Sequence, residues 1–318
     1  MNFYIIDLKK VIFGGDILIP RVDFKKIMMD ELHCIEILRK AVTESGFFIV
    51  FNTPIKEKEV LKTIRAYREF FLLPFEAKDN VSMAKTGSNR GWGNIQAEQV
   101  NPDYNPDYKE IFDNGFEISS DNPLSKLSVY SQNIWPNEPK EFSKTILSYY
   151  NNAMALSKDI LRKISNIIGQ DQTYFDDKFE MPMALLRGNF YPKRPNWAGE
   201  KDYGIASHTD YGCLTLLAND GTPGLEVLNL DRQWTPVDFK PGEFVVNFGE
   251  MLQMWSNGQI KATQHRVKGS LTERISIPLF FNPSYHTDIS PKDSTKKITA
   301  GEYLTKRYNE TYVHLQGK

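Results

Sequence analysis

The segment GIASHTDYGCLTLL, residues 204–217, begins as a short strand and carries His208 and Asp210 two residues apart. Side chains at positions i and i+2 leave the same face of a strand, so an imidazole and a carboxylate are presented together. Turn pairs such as Asp220-Gly221 and Pro241-Gly242 separate the apolar runs that follow. Many short strands without intervening helices predict an antiparallel double-stranded β-helix, or jelly roll.

The jelly-roll core is expected over residues 181–290, and helices flank it. Its predicted strands are MALLRGNFY (183–191), GIASHTD (204–210), CLTLLA (213–218), GLEVL (224–228), EFVVNFG (243–249), ATQHRV (262–267) and RISIPLFFN (274–282). The helical spacing of apolar residues over 139–169 predicts one long supporting helix. The fold class is therefore mainly β, with a long α-helix behind the sheets.

The N-terminal part, residues 1–138, is expected to be a mixed α/β region with loops that line a pocket. Strands are predicted at 3–8 and 47–51, and helices at 31–45 and 56–71. Residues 80–138 are rich in Asn, Pro and Gly and favour turns, but interleaved aromatic residues indicate a folded loop region. We expect one unit over 1–318, in which 139–180 contains the supporting helix and 291–318 the C-terminal helix, predicted at 300–312.

Composition excludes several classes of protein. The 318 residues contain 39 Lys and Arg against 40 Asp and Glu, without a block of one sign, which argues against a nucleic-acid partner. The two cysteines, Cys34 and Cys213, are too few to staple the chain and indicate a reducing, cytoplasmic location. No signal peptide or membrane span is apparent, so we expect no membrane partner. A monomer is expected.

A second imidazole would complete a metal site, and His265 is the candidate. Two histidines and one carboxylate can occupy one face of an octahedron, which is the arrangement of non-haem Fe(II) oxygenases. A hydrolytic zinc site, or a barrel that binds metal without redox chemistry, uses the same ligand types and remains an alternative.

Arg274 and Ser276 also share a strand face, and the prediction puts them on a strand next to that of His265. A guanidinium beside a hydroxyl is suited to binding a carboxylate. The flanking residues are apolar (Ile275, Ile277, Leu279, Phe280 and Phe281), which indicates a buried arginine that needs an anionic partner. A diacid ligand would supply that partner.

These segments resemble the isopenicillin-N-synthase-like family of Fe(II)- and 2-oxoglutarate-dependent oxygenases over nearly the whole chain. The specific matches are GIASHTDYGCLTLL, the segment 224–267 that ends in ATQHRV, and RISIPLFFNP; looser matches are YIIDL, SGFFIVFN, FFLLP, the RGW at 90–92 and DYKEIFDNG. One departure is Asn52-Thr53-Pro54-Ile55, where the family has N-H-G-I. It affects packing near the pocket mouth and leaves the metal positions intact.

The resemblance implies roles for individual residues. His208, Asp210 and His265 would hold Fe(II), and Arg274 with Ser276 would bind the distal carboxylate of 2-oxoglutarate. Asn189 and Tyr191, in GNFYP, match the family's N-x-Y element and would contact the same cosubstrate. The implied reaction uses O2, releases succinate and CO2, and hydroxylates, desaturates or cyclises a small molecule. A cosubstrate-free iron oxidase like isopenicillin N synthase is the alternative within this family.

The substrate is less well defined by the sequence. Cationic residues expected near the pocket are Lys85, Arg90, Lys109, Arg187, Lys193 and Arg194. They motivate the hypothesis that the substrate is an amino-acid-derived or carboxylate-bearing metabolite, although solvated surface charge is the preferred explanation for any single one of them.

Overall fold

The computed structural model describes residues 19–311, so the strand predicted at 3–8 lies outside the described residues. In this range two β-sheets face each other, and helices cover the outer face of the larger sheet. The strands are β1 Arg21–Asp23, β2 Phe47–Phe51, β3 Gly91–Gly93, β4 Glu110–Gly115, β5 Leu185–Tyr191, β6 Ile205–His208, β7 Leu214–Asn219, β8 Leu225–Leu228, β9 Trp234–Pro236, β10 Phe244–Phe248, β11 His265–Val267 and β12 Arg274–Phe281.

The larger sheet has eight strands in the order β1-β2-β10-β7-β12-β5-β4-β3, and the smaller one has four in the order β6-β11-β8-β9. Apart from the parallel pair β1–β2, neighbouring strands are antiparallel. The chain crosses repeatedly from one sheet to the other, as expected for a jelly roll. The predicted fold class is confirmed.

The helices of the described chain are mostly N-terminal to the smaller sheet. They are α1 Phe24–Met28, α2 Leu32–Lys40, α3 Glu57–Phe71, α4 Phe75–Asp79, α5 Met83–Thr86, α6 Phe142–Ile167, α7 Glu250–Trp255 and α8 Ala300–Thr311. The helix predicted at 31–45 is α2 followed by a π-helical turn, Ala41–Ser45, and it ends at Gly46, whose φ is 66°. The helices predicted at 56–71, 139–169 and 300–312 correspond to α3, α6 and α8.

The long helix α6 supports the larger sheet. Its apolar stripe, which includes Ile146, Ala153 and Ile160, is fully buried and belongs to the main hydrophobic core. The helix contacts α3, β7 and β12, so it braces the strands whose opposite faces line the space between the sheets. Among residues 19–311, no helix combines the length and apolar composition that crossing a membrane would require.

The structure corrects three predictions from the sequence. Residues 80–138 contain strands β3 and β4, and β4 is completely buried between β3 and β5. The polar residues of β4 suggested a loop, because the residues that they contact inside the protein are distant in the sequence. Strand β9 and the short helix α7 were also not predicted. The expectation of short strands without intervening helices therefore fails at α7, which follows β10 directly.

Gly188 provides a test of how closely α3 packs on the larger sheet. A Cβ atom at this position of β5 would overlap the buried ring of Tyr67. We expect Gly188→Ala to lower the free energy of unfolding by about 1–3 kcal/mol, because the ring must move within a close-packed core. Urea unfolding measures the change. Gly199→Ala is the control, since the nearest atom, Asp202 Oδ2, is 3.8 Å away; equal losses in both variants would contradict this packing.

Candidate metal and cosubstrate site

His208 and His265 are direct partners in the smaller sheet. His208 is the last residue of β6, and its Cα pairs with that of His265 at the start of β11. The two ring centroids are 4.3 Å apart. Each Nδ1 lies near a carbonyl oxygen of its own strand segment, 2.8 Å from Ala206 O and 3.1 Å from Thr263 O. If Nδ1 carries the proton and donates to these carbonyls, the Nε2 atoms keep a free lone pair for a metal.

Asp210 lies just beyond the end of β6 and completes the group. Its Oδ1 is 3.8 Å from His208 Nε2 and 3.7 Å from His265 Nε2. Its Oδ2 accepts hydrogen bonds from Thr215 Oγ1 at 2.5 Å and Asn247 Nδ2 at 2.6 Å. These two donors belong to β7 and β10 of the larger sheet. The carboxylate therefore joins the two sheets and directs one oxygen towards both imidazoles.

The electrostatics favour metal-binding protonation states. Burial, together with the neighbouring His265, lowers the pKa of His208 to about 3. Burial alone would raise the pKa of Asp210, but the two histidines and the hydrogen bonds from Thr215 and Asn247 outweigh it and hold that pKa below its ordinary value. A neutral imidazole and an ionised carboxylate are the forms that bind a metal ion.

One ligand atom from each of His208, Asp210 and His265 lies within 4.8 Å of the others. Two imidazole nitrogens and one carboxylate oxygen on one side of a cavity fit an ion that keeps further coordination positions open. These residues line a cleft of about 980 Å³ between the sheets, counting the space open to solvent. The three residues can therefore hold a metal at a position accessible to small molecules.

A second polar group lines the same cleft from the larger sheet. Arg274 of β12 pairs in register with Tyr191 of β5, and Ser276 pairs with Asn189. The Asn189 Nδ2 is 3.3 Å from Ser276 Oγ, and the Arg274 guanidinium carbon is 5.0 Å from the Tyr191 ring centroid. Arg274 is 1% exposed, as the sequence predicted. The register of β5 and β12 thus brings the R-x-S and N-x-Y elements together.

The buried polar atoms of this group are incompletely satisfied. Arg274 Nε donates to Thr222 O at 3.2 Å, but its Nη1 has no hydrogen-bond partner among the described residues. Asn189 Oδ1 also lacks one within that range. A buried guanidinium nitrogen without a partner is costly, which indicates a site for an anionic ligand. One expectation was wrong: β12 does not neighbour β11 but lies in the opposite sheet.

The fold places only some of the six cationic residues considered for substrate binding in the cleft. Lys109 and Arg187 line the cleft, whereas the other four are not among its lining residues. Arg90 is buried, and its guanidinium donates to Val129 O at 2.7 Å and Asn89 O at 3.0 Å. Arg194 donates to the carbonyls of the loop at 199–202, Lys193 is exposed, and Lys85 is 3.5 Å from Asp79.

The C-terminal helix α8 closes one side of the cleft, where its residues Leu304, Tyr308 and Thr311 are among those that line it. Glu250 connects this helix to the metal-site loop, because it accepts hydrogen bonds from Thr209 and, at 2.7 Å, from Tyr303 Oη. Glu250, Thr215 and Asn247 were not among the site residues predicted from the sequence. Thr215 and Asn247 did carry a signal, since each is a polar residue within an apolar strand.

Comparison with known proteins agrees with this geometry. Residues 182–283 match the family model described as 2OG-Fe(II) oxygenase superfamily, and residues 19–138 match that described as non-haem dioxygenase in morphine synthesis N-terminal. A 2-oxoglutarate-Fe(II) type oxidoreductase of Aspergillus fumigatus is 32% identical over 257 residues, covering 78% of this chain and 76% of the relative. Homoarginine-6-hydroxylase 2-ODD-C23.1 of Arabidopsis thaliana is 34% identical over 271 residues, covering 83% and 81%.

The same likeness extends to three dimensions. The crystal structure of a full-length Neurospora crassa protein in complex with alpha-KG superposes with a TM-score of 0.81 at 27% identity, covering 92% of this chain and 96% of that one. The chain belongs to the 2OG-Fe(II) oxygenase superfamily. It is a 2-oxoglutarate-dependent non-haem iron dioxygenase, a class that uses Fe(II), 2-oxoglutarate and O2. The family, enzyme class and cofactors predicted from the sequence are confirmed.

The hydrogen bond from Thr215 to Asp210 can be tested separately from the ligands. We expect Thr215→Val to weaken metal binding about 10-fold or more, because loss of an outer hydrogen bond misorients the ligating carboxylate. Anaerobic titration with Fe(II) or Co(II) measures the dissociation constant. Thr235→Val in β9 removes a strand hydroxyl that does not line the cleft and should leave metal binding unchanged. Equal affinities in the two variants would contradict the role of Thr215.

Burial of His208 predicts a pH dependence in the metal-free protein. Between pH 6.5 and about 3 the unfolded chain protonates this imidazole, whereas the folded protein keeps it neutral. The unfolded state then binds more protons, so the free energy of unfolding should decrease as the pH falls through this window. Urea unfolding at a series of pH values should show a shallower decrease in His208→Gln. Identical slopes for the two proteins would contradict the prediction.

Proposed function

We propose that His208, Asp210 and His265 hold Fe(II), and that Arg274 and Ser276 bind the distal carboxylate of 2-oxoglutarate. The enzyme would couple oxidative decarboxylation of 2-oxoglutarate to C–H oxidation of a small molecule. The observation that carries this assignment is the unpartnered, buried Nη1 of Arg274 in the same cleft as the three potential metal ligands.

Asn189 and Tyr191 are proposed as further cosubstrate contacts. The free Oδ1 of Asn189 lies on the strand beside Ser276, and the Tyr191 ring packs below the Arg274 guanidinium. The ring restricts the arginine side chain to one orientation, and the Thr222 carbonyl fixes its Nε. A guanidinium held in this way loses little conformational entropy when it binds a carboxylate.

The chain's own residues position the reactants and keep the site dry. When bound, the iron would serve to activate O2, the oxidant, which would take two electrons from the decarboxylation of 2-oxoglutarate and two from a C–H bond of the substrate. Asp210 stays ionised through Thr215 and Asn247, while the imidazoles are oriented by backbone carbonyls. Apolar side chains such as Phe47, Leu217 and Val267 line the cleft and limit access of water.

The substrate is proposed to be a small, amino-acid-derived metabolite. One supporting observation is the relative from Arabidopsis thaliana, whose name states that it hydroxylates homoarginine. The cleft also has a suitable character, because most of its accessible surface is apolar and a few charged groups provide orientation. We further propose that the enzyme is a cytoplasmic monomer and that residues 1–318 act as one unit, with the parts at 1–138, 139–180, 181–290 and 291–318 expected from the sequence.

Anaerobic addition of Fe(II) and 2-oxoglutarate tests this proposal without knowledge of the substrate. The protein should develop a visible charge-transfer band, and it should form succinate slowly when air is admitted. His208→Ala and Asp210→Ala should abolish both signals. Absence of the band together with absence of succinate in the native protein would refute the proposed site.

The proposed role of Arg274 predicts a selective defect. Arg274→Met should raise the 2-oxoglutarate concentration required for half-maximal succinate formation by about 10- to 100-fold, since charged hydrogen bonds to the carboxylate are lost. The affinity for Fe(II) should stay close to that of the native protein. The control is Arg162→Met, which removes an arginine paired with Asp176 on the helical side at 2.8 Å. An unchanged 2-oxoglutarate requirement in Arg274→Met would contradict the assignment.

A further inference from the structure

A buried ionic cluster lines the cleft beside the proposed site. It consists of Glu98, Asp107, Lys109, Asp113 and Arg187, and we call it the acid-base cluster. Lys109 Nζ is 2.6 Å from Asp107 Oδ2 and 3.0 Å from Glu98 Oε2. Arg187 donates to both oxygens of Asp113, at 2.7 and 2.6 Å, and to Glu98 Oε2 at 2.7 Å. Each cation therefore already contacts two carboxylates.

Counted over residues 19–311, the cluster carries one more negative than positive charge, because three carboxylates face two cations. Asp107 is paired with Lys109, and Asp113 is paired with Arg187. Glu98 is the carboxylate that contacts both cations. Burial alone would raise the pKa of Glu98, but Arg187 and Lys109 outweigh it and lower that pKa to about 2. The carboxylate of Glu98 is consequently ionised, and the surplus charge is assigned to it.

Glu98 is also the carboxylate of this cluster that lines the cleft, together with Lys109 and Arg187. Its side chain is 3% exposed. Both cations contact its Oε2, and among residues 19–311 no hydrogen bond to Oε1 is formed. The cleft is therefore lined by an ionised carboxylate whose Oε1 has free lone pairs, which a ligand with N–H donors can satisfy.

We infer that the substrate presents an ammonium or guanidinium group to Glu98, an inference that rests on the proposed function of the cleft. A substrate carboxylate would face an excess of negative charge, since both nearby cations are already engaged. Desolvated like charges repel strongly in a buried site, whereas a cation would neutralise the cluster. The sequence suggested a pocket that binds a substrate carboxylate. We expect instead a pocket that binds the cationic group of a basic, amino-acid-like molecule.

Pairs of compounds that differ in one charged group test the charge preference directly. Arginine against citrulline tests a guanidinium, lysine against norleucine a side-chain ammonium, and arginine against Nα-acetylarginine the α-ammonium. Glutamate against glutamine tests the opposite charge. Stimulation of succinate formation above the substrate-free rate is measured with the Fe(II)-loaded enzyme, and mass spectrometry detects oxidised products.

Three variants connect the preference to Glu98. Glu98→Gln keeps the size of the side chain and removes its charge, while Lys109 and Arg187 each retain a carboxylate partner. Glu98→Asp keeps the charge. Glu226→Gln is the matched control, because Glu226 is also paired with two cations, at 2.7 and 2.8 Å, but does not line the cleft.

At least one cationic compound should stimulate native turnover more strongly than its neutral partner. Glu98→Gln should lower kcat/KM for that compound about 10-fold or more. Glu98→Asp and Glu226→Gln should retain the preference. Stimulation by glutamate instead, an undiminished preference in Glu98→Gln, or no stimulation by any cation would overturn the inference. If the native enzyme formed no succinate in the absence of a substrate, the proposed function would instead be refuted.

Discussion

The carboxylate of Asp210 is the constraint on which the site depends. It follows a strand of the smaller sheet, yet its Oδ2 is held by Thr215 and Asn247 of the larger sheet. A buried carboxylate requires such donors, because an unsatisfied charge in the interior would cost more than folding can offset. The same two hydrogen bonds fix the separation of the sheets and aim Oδ1 at both histidines. Metal geometry and sheet packing are therefore parts of one arrangement.

The register of the paired strands determines which site residues lie opposite each other. His208 opposes His265 across β6 and β11, and Ser276 opposes Asn189 across β12 and β5. Because side chains alternate between sheet faces, a slip of one residue would turn either pair away from the cleft. The metal ligands and the proposed diacid contacts thus lie on facing sheets. This arrangement allows one small molecule to reach both groups.

The local motifs of the site could be predicted from the sequence, but the assembly of the strands into two sheets could not. H-x-D and R-x-S follow from the two-residue period of a strand, and the stripe of α6 from helical spacing. The sheet that each strand joins depends on long-range pairing, so β12 was expected beside β11. The acid-base cluster was not predicted for the same reason, because Glu98, Lys109 and Arg187 come together only in the folded protein, where β4 pairs with β5. Three of the charges that suggested an anionic substrate, Arg90, Lys109 and Arg187, are engaged internally.

The most direct test is a crystal structure with Mn(II) and 2-oxoglutarate, since Mn(II) occupies such sites without turnover. The account predicts one ion bound by Nε2 of His208, Nε2 of His265 and Oδ1 of Asp210. The distal carboxylate of 2-oxoglutarate should contact Arg274 Nη1 and Ser276 Oγ. An ion held by other residues, or a diacid bound away from Arg274, would contradict the account.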